Sequence, residues 1–201
     1  DHWSPHGKSH FEIFQKYIPS TWFEEVCVKG TSSNLVAAGE VGTDLGEMYC
    51  YLGLKLLMAT MVGFSQRQYF STQEFHERNN PCPLKLSQYM SHRRMELIDH
   101  HICFTDHPAP AYTDRFWEVR QMMEEWRRNM KEFFYPSWIL CLDESMSTWT
   151  NKWTCPGYVF CHWKPKDKGN ECHTICCGLT GIMFGWEIVE GKDRPRQLGK
   201  P

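Results

Sequence analysis

The sequence predicts an α+β fold, with helices up to about residue 136 followed by the first strands of a sheet. The helices are predicted by apolar residues that recur every three or four positions, most clearly between Phe116 and Phe133. The sheet is predicted by three short apolar runs after Pro136. With 201 residues, of which 41% are hydrophobic, the chain is long enough for an ordinary folded domain.

The early helices are predicted from capping signals. The first covers residues 11–18 and ends at Pro19, and a second begins near Thr21, three residues before Glu24. Residues 29–43 are rich in Gly, Ser, Asn and Thr, which predicts a connection between helices.

Asp44 and Glu47 repeat the capping signal at the start of a predicted helix over residues 45–61. That segment is apolar on most of its circumference, so it is expected at the centre of a helical bundle. Three later helices are expected: a short one from Ser71 and Glu74, one over 86–103, and the long one ending before Pro136.

Three apolar runs after Pro136 predict strands: residues 138–142, 171–180 and 182–189. Thr180 and Gly181 predict a hairpin turn between the last two.

Charge and composition narrow the class of protein. The formal charge of −2 gives no bulk attraction to nucleic acid, so any contact with DNA is expected from a local basic patch. The most apolar stretch, residues 45–64, contains Glu47 and Lys55, which argues against a membrane span. The ten cysteines are scattered through apolar runs and predict reduced thiols in an intracellular compartment.

Asp143 and Glu144 directly follow the apolar run 139–142. Carboxylates at the end of a rigid central strand are typical of nucleases and transposases, because Mg²⁺ prefers oxygen ligands held in near-octahedral geometry. An acidic pair that ends a strand in solvent gives the same pattern. The residues alone leave both readings open.

Several ordered blocks together resemble the piggyBac transposase family over nearly the whole chain. The blocks are Asp44–Tyr49; Met90 with Ser91, Arg94, Met95, Ile98 and Phe104–Asp106; Val119–Arg120; Tyr135–Pro136; Leu140–Glu144; Trp163–Lys166; and Gly191–Lys192. Their order and spacing carry the resemblance, since each block alone is short. The stretch after Met146 departs from the family, whose members usually have a Gly/Arg-rich turn there.

The resemblance implies a helical dimerisation and DNA-binding region over residues 1–136. It implies that residues 137–201 are the first three strands of an RNase H-like DDE catalytic domain. The chain would then be a fragment of a cut-and-paste DNA transposase that uses three aspartates and Mg²⁺ (or Mn²⁺). By position, Asp143 matches the first catalytic, metal-binding aspartate, and the other two are expected beyond residue 201, which leaves the fragment catalytically incomplete.

The resemblance also implies partners and a location. These are double-stranded DNA, as transposon ends and target, a homodimer when full length, and the nucleus, with no membrane. The alternative is a domesticated transposase-derived protein that binds DNA or other partners and has lost the chemistry.

Two further groups of residues are candidates for binding. Lys164, Lys166 and Lys168 form a basic patch that either contacts phosphates or is a solvated loop, and Lys152 is the one positive charge of the turn after Met146. Trp149 and Trp153 lie in a polar loop where they can stack on bases, whereas most of the other tryptophans are expected in the core.

The third group is a cluster of cysteines and histidines: Cys155, Cys161, His162, Cys172, His173, Cys176 and Cys177. Thiolate and imidazole are the usual zinc ligands, but this cluster has no C-x-x-C pair. Buried structural thiols are therefore favoured over zinc.

Overall fold

The computed structural model describes residues 6–73 and 82–190. Its contacts divide the chain into two compact units. The helical unit is Phe23–Cys103, and the sheet unit joins Asp1–Trp22 to Phe104–Pro201. The change from helices to strands falls near residue 136, as expected, and a domain boundary at that residue stays a prediction.

The helical unit begins with a π-helical segment, Phe23–Val28, and continues through four further α-helices among the described residues, numbered from α3 because two helices precede them in the chain. Their bounds, with a 3₁₀ turn before α6, are α3 Lys29–Ala37, α4 Leu45–Thr60, α5 Gln66–Tyr69, the turn Leu86–Gln88, and α6 His92–His101. The core of this unit consists of large apolar side chains that are almost completely buried: Phe23, Leu35, Met48, Leu86, Met95 and Ile98.

Helix α3, Lys29–Ala37, contradicts the first part of the predicted connection over residues 29–43, whereas residues 38–43 do connect α3 to α4. Its sequence has poor helix formers, but Thr31 and Leu35 are fully buried. The Thr31 hydroxyl accepts a hydrogen bond from the Cys103 amide at 3.0 Å. A side chain at Gly30 would meet the Cys103 sulfur at 2.5 Å, so the glycine allows this close approach. Tertiary packing overrides the weak local preference.

Helix α4 begins as predicted, because the Asp44 carboxylate accepts a hydrogen bond from the Glu47 amide at 2.8 Å. Its expected place at the centre of a bundle is wrong, since only Met48, Tyr51 and Leu54 are buried on it. The helix expected over 86–103 is also divided, because Ser91 caps α6 separately. The helix expected from Ser71 and Glu74 falls partly on residues 74–81, outside the described residues.

The sheet unit contains three helices and four strands. They are α1 His10–Tyr17, α2 Ser20–Trp22, α7 Trp117–Phe133, β1 Leu140–Thr148, β2 Tyr158–Phe160, β3 Lys168–Cys177 and β4 Met183–Ile188. Helices α1 and α7 were predicted nearly to the residue, whereas β2 is a short strand beyond the three expected. Helix α1 packs on α7 through the edge-to-face rings of Tyr17 and Phe133, whose centroids lie 5.9 Å apart.

The sheet is antiparallel, and β3 is its central strand. Strand β1 pairs with one side of β3 along its full length, from Leu140 opposite Cys177 to Thr148 opposite Gly169. Strands β2 and β4 pair with the other side of β3. The predicted turn at Thr180 and Gly181 joins β3 to β4, and Gly181 has the positive φ of 70° that this turn requires.

Among residues 6–73 and 82–190, β1 is at the edge of the sheet and exposed, whereas the sequence predicts a buried central strand. Within the described residues it pairs with β3 alone, and Leu140 and Leu142 are 54% and 70% exposed. An apolar run indicates a strand but does not reveal how many neighbours that strand has.

The opposite side of the sheet is closed by α7. Arg120 donates hydrogen bonds to the buried carboxylate of Asp114 and, at 2.8 Å, to both oxygens of Glu190 after β4. The Arg120 guanidinium lowers the pKa of Asp114. Glu190 is therefore part of an ion-pair network that ties α7 to the end of β4.

Candidate functional site

Asp143 is the fourth of the nine residues of β1. The strand was expected to end before Asp143, but it continues to Thr148, so the aspartate lies inside the strand. Its cross-strand neighbour is Thr174 on β3, whose hydroxyl donates to the Asp143 carbonyl at 3.3 Å. The backbone of Asp143 is therefore fixed by the sheet, while the residue itself is exposed.

The Asp143 carboxylate is held at the unpaired edge of β1. The Gly178 amide donates to Ile139 and the Trp149 amide to Lys168, so odd-numbered positions bond to β3 and the Glu144 amide faces away from it. Asp143 Oδ1 accepts that outward amide at 2.8 Å. Oδ2 has no hydrogen-bond partner among the described residues. One carboxylate oxygen is thus positioned and the other is available.

A second group of side chains lies on the opposite face of the sheet. Glu144 is opposite His173 in register, and Glu171 precedes His173 by two residues, so the three project from the same face. Their ligand atoms lie within 4.8 Å of one another. No sequence motif brings these three residues together, because their proximity depends on the strand register.

Lys164 contacts Glu144 of this second group. Its ammonium donates to the Glu144 carbonyl at 2.8 Å and lies 3.5 Å from the Glu144 carboxylate. The lysine therefore already supplies a positive charge beside the acids. We interpret the group as an ion-pair network.

Asp143 fits a magnesium ion as one ligand. A carboxylate oxygen is the donor that Mg²⁺ prefers, and Mg²⁺ commonly binds one or two carboxylates with water and phosphate oxygens as the remaining ligands. On the same face, its neighbours across the sheet are Thr174 and Trp186. Among residues 6–73 and 82–190, Asp143 belongs to no group of three metal-ligating side chains, so a complete three-carboxylate site needs ligands from elsewhere.

Three of the four candidate DNA-binding lysines, Lys152, Lys164 and Lys166, lie in the β1–β2 and β2–β3 connections, and Lys168 is the first residue of β3. Lys152, Lys166 and Lys168 are exposed. Lys152 lies over the ring of Trp153 at 4.6 Å, and Lys168 over the ring of Phe160 at 5.9 Å. Lys164 differs from the other three, because its side chain is 19% exposed and bonded to Glu144.

The cysteine and histidine cluster does not gather around one point. Across the described part of the chain, the Glu144, Glu171 and His173 group is the one in which three such side chains approach closely. Burial raises the pKa of Cys172. By contrast, hydrogen bonds led by the Ser137 hydroxyl lower the pKa of Cys177 to about 6. The cysteines therefore lie in different environments.

Comparisons with known proteins identify the family of the chain. Residues 3–201 match the family model described as Transposase IS4, of the DDE type. None of the curated proteins matches the chain. Within the described residues, no helix is long and apolar enough to cross a membrane.

The fold is similar to that in a cryo-EM structure of a piggyBac transposase synaptic complex with hairpin DNA. The TM-score is 0.67 at 18% sequence identity, over 90% of this chain and 40% of the piggyBac chain. This likeness confirms the α+β fold that the resemblance implied. Because the family model matches residues 3–201, which is nearly the whole chain, the chain belongs to the Transposase IS4 family of DDE-type transposases.

Proposed function

We propose that this chain is the part of a cut-and-paste DNA transposase that carries the first catalytic, metal-binding carboxylate, Asp143. The observation that carries the proposal is the exposed Asp143 carboxylate, which a regular strand holds with one oxygen unbonded in a member of a transposase family. The same residue is the one that the sequence resemblance assigns to the first aspartate of a DDD triad.

The residues around Asp143 hold it in place for metal binding. Pairing with Thr174 sets the position of its backbone, and the Glu144 amide holds Oδ1. The remaining oxygen would then be available to hold a metal ion without the cost of ordering a mobile side chain. A bound Mg²⁺ or Mn²⁺ ion supplies the Lewis acid that activates water or a 3′-hydroxyl and stabilises the leaving oxygen.

DNA is the partner that the proposal requires. The similar piggyBac structure is described as a synaptic complex with hairpin DNA, which supports DNA binding by this chain. Exposed Lys152, Lys166 and Lys168 supply positive charge for phosphate contacts. The proposal includes a homodimer for the full-length protein and a location in the nucleus, where its DNA substrates lie.

The test is excision of a reporter flanked by the element's terminal repeats, by the full-length protein that contains this chain. Asp143→Ala is expected to abolish excision and to leave binding of the terminal repeats intact, because the side chain is exposed and makes no contact that the fold needs. Glu187→Gln is the matched control, since Glu187 is an exposed acid on β4 of the same sheet. Normal excision by Asp143→Ala would overturn the assignment.

The same experiment separates the alternative of a domesticated protein. A wild-type protein that binds DNA without excising it, and that Asp143→Ala leaves unchanged, would indicate that the chemistry has been lost.

A further inference from the structure

Four large aromatic side chains are exposed at one end of the sheet. Strand β1 ends at Thr148 where β3 begins, and β2 pairs with the same end of β3, so the connections 149–157 and 161–167 both leave from there. The four are Trp149 at 43% exposure, Trp153 at 81%, Phe160 at 55% and Trp163 at 68%. We call these four residues the aromatic end.

Exposed rings of this size, three in polar connections and Phe160 at the end of β2, are unusual in a protein that only needs to fold. Each leaves apolar area in water that a core position would bury, and clustered exposed aromatics mark binding surfaces. Most tryptophans other than Trp149 and Trp153 were expected in the core, and Trp163 is exposed instead. Its exposure therefore suggests a use other than packing.

Local hydrogen bonds order the connection that carries two of the rings. The Trp149 indole N–H donates to the Thr154 hydroxyl at 3.1 Å. The side-chain oxygen of Asn151 accepts the Trp153 amide at 3.0 Å, and its carbonyl accepts the Cys155 amide at 3.1 Å. A connection ordered in advance loses less conformational entropy when it binds a partner.

The charge of the residues around the aromatic end favours a nucleic-acid partner. Residues 149–168 contain four lysines and a single acid, Asp167, which gives a net charge of +3. Lys152 and Lys168 lie directly over two of the exposed rings. Alternating cations and aromatic rings are what single-stranded nucleic acid requires, because phosphates and open base faces alternate along it.

We propose that the aromatic end binds unpaired nucleotides of DNA, with Trp153 and Trp163 stacking on bases and Lys152 and Lys166 contacting phosphates. Duplex DNA does not offer the same partner, because its base faces are already stacked inside the helix. The inference rests on the proposed function, which makes DNA the partner. The aromatic end begins at Trp149, six residues from Asp143 along the direction of β1, so unpaired nucleotides at Trp149 would lie about 20 Å from that carboxylate at about 3.3 Å per residue.

The test compares binding of a short labelled oligothymidine and a short labelled duplex by the 201-residue chain, measured by fluorescence anisotropy at low salt. Trp153→Ala and Trp163→Ala are each expected to weaken oligothymidine binding about tenfold and to leave duplex binding unchanged. Trp153→Phe should retain most of the affinity, because it keeps a ring. Trp138→Ala is the matched control, since Trp138 is 89% exposed and precedes β1 at the opposite end of the strand.

The lysines give a second, independent readout. Lys152→Ala with Lys166→Ala should weaken binding of both DNAs and reduce the salt dependence of binding, because each lost phosphate contact releases one less counterion. The tryptophan variants should leave the salt dependence unchanged.

Several outcomes would overturn the proposal. They are equal loss of duplex and oligothymidine binding in the tryptophan variants, no loss of either, or tryptophan-dependent binding to phosphatidylserine vesicles without any for oligothymidine. Failure here is distinguishable from failure of the proposed function. If the tryptophan variants bind oligothymidine normally, the expected effect of Asp143→Ala on excision does not change. If Asp143→Ala excises normally, stacking by Trp153 can still be measured.

Discussion

The two sides of the sheet are built differently. On the β4 side, α7 packs against the sheet, Arg127 donates to the Trp186 carbonyl at 3.2 Å, and Phe134 contacts Phe184 with ring centroids 5.8 Å apart. On the β1 side, the strand is exposed along nearly its full length. One side supplies stability, and the other holds side chains in place without burying them.

This difference explains how an exposed aspartate can be rigid. Strand β3 is held from the β4 side by α7, and β1 is paired to β3 over nine positions. Asp143 therefore gains a fixed backbone from contacts made on the far side of the sheet. Substitutions on the β4 side should lower stability, whereas substitutions of exposed β1 side chains should change function alone.

The largest effect is expected where β1 joins β3. Gly169 has φ 144°, and a Cβ there would lie 1.8 Å from the Ser147 carbonyl oxygen, so Gly169→Ala must break the pairing. We expect a loss of about 4 kcal/mol in the free energy of unfolding. Gly181→Ala is the control, since it also has positive φ but nothing within 4 Å, and should cost about 1 kcal/mol. Urea unfolding measures both, and equal costs would contradict this view of the β1–β3 junction.

The next largest effect is expected at the ion pairs on the β4 side. Arg120→Met leaves the buried Asp114 carboxylate without its cation and should cost about 3 kcal/mol in unfolding free energy. Arg128→Met removes the exposed pair with Glu125, whose atoms lie 3.0 Å apart, and should cost under about 0.5 kcal/mol. Similar costs for the two variants in urea unfolding would show that Arg120 does not hold α7 to the sheet.

The same network predicts a pH dependence. The pKa of Asp114 is lowered in the folded chain by Arg120, so its ionised form stabilises the fold above the ordinary aspartate pKa of about 3.9. That stabilisation is lost as pH falls through the lowered pKa. The stability advantage of the wild type over Asp114→Asn should therefore be constant near neutral pH and shrink below about pH 4. An advantage that grows on acidification would contradict the lowered pKa.

The smallest effect is expected on β1 itself. Leu142 is 70% exposed, so Leu142→Ser should change the free energy of unfolding by less than about 0.5 kcal/mol. Met130→Ala on α7, where the side chain is 1% exposed, should cost about 3 kcal/mol. Equal losses in urea unfolding would remove the distinction between the two sides.

Local patterns predicted part of the fold. Helix α7 follows from its apolar spacing, and the β3–β4 hairpin from Thr180 and Gly181. Helix α3 was missed because it is stabilised by buried contacts of Thr31 and Leu35. Thr31, for example, bonds to Cys103, and no pattern within residues 29–37 reveals a contact so distant in sequence. The edge position of β1 was also missed, since the hydrophobicity of a strand does not report its neighbours.

The candidate site also has a part that the sequence predicts and a part that it does not. Asp143 was selected by resemblance to a family, because its local pattern alone also fits a solvated acid that ends a strand. The group of Glu144, Glu171 and His173 depends on the β1–β3 register, and so does the bond from Lys164 to Glu144. Register is set by packing and by turns along the whole sheet, so no short motif announces it.

The most direct test of Asp143 as a metal ligand is excision by Asp143→Cys in the full-length protein, measured in Mg²⁺ and in Mn²⁺. A thiolate is a poor ligand for Mg²⁺ and binds softer ions better. The account predicts no excision in Mg²⁺ and partial recovery in Mn²⁺, with Glu187→Gln active in both. Wild-type excision by Asp143→Cys in Mg²⁺ would contradict it.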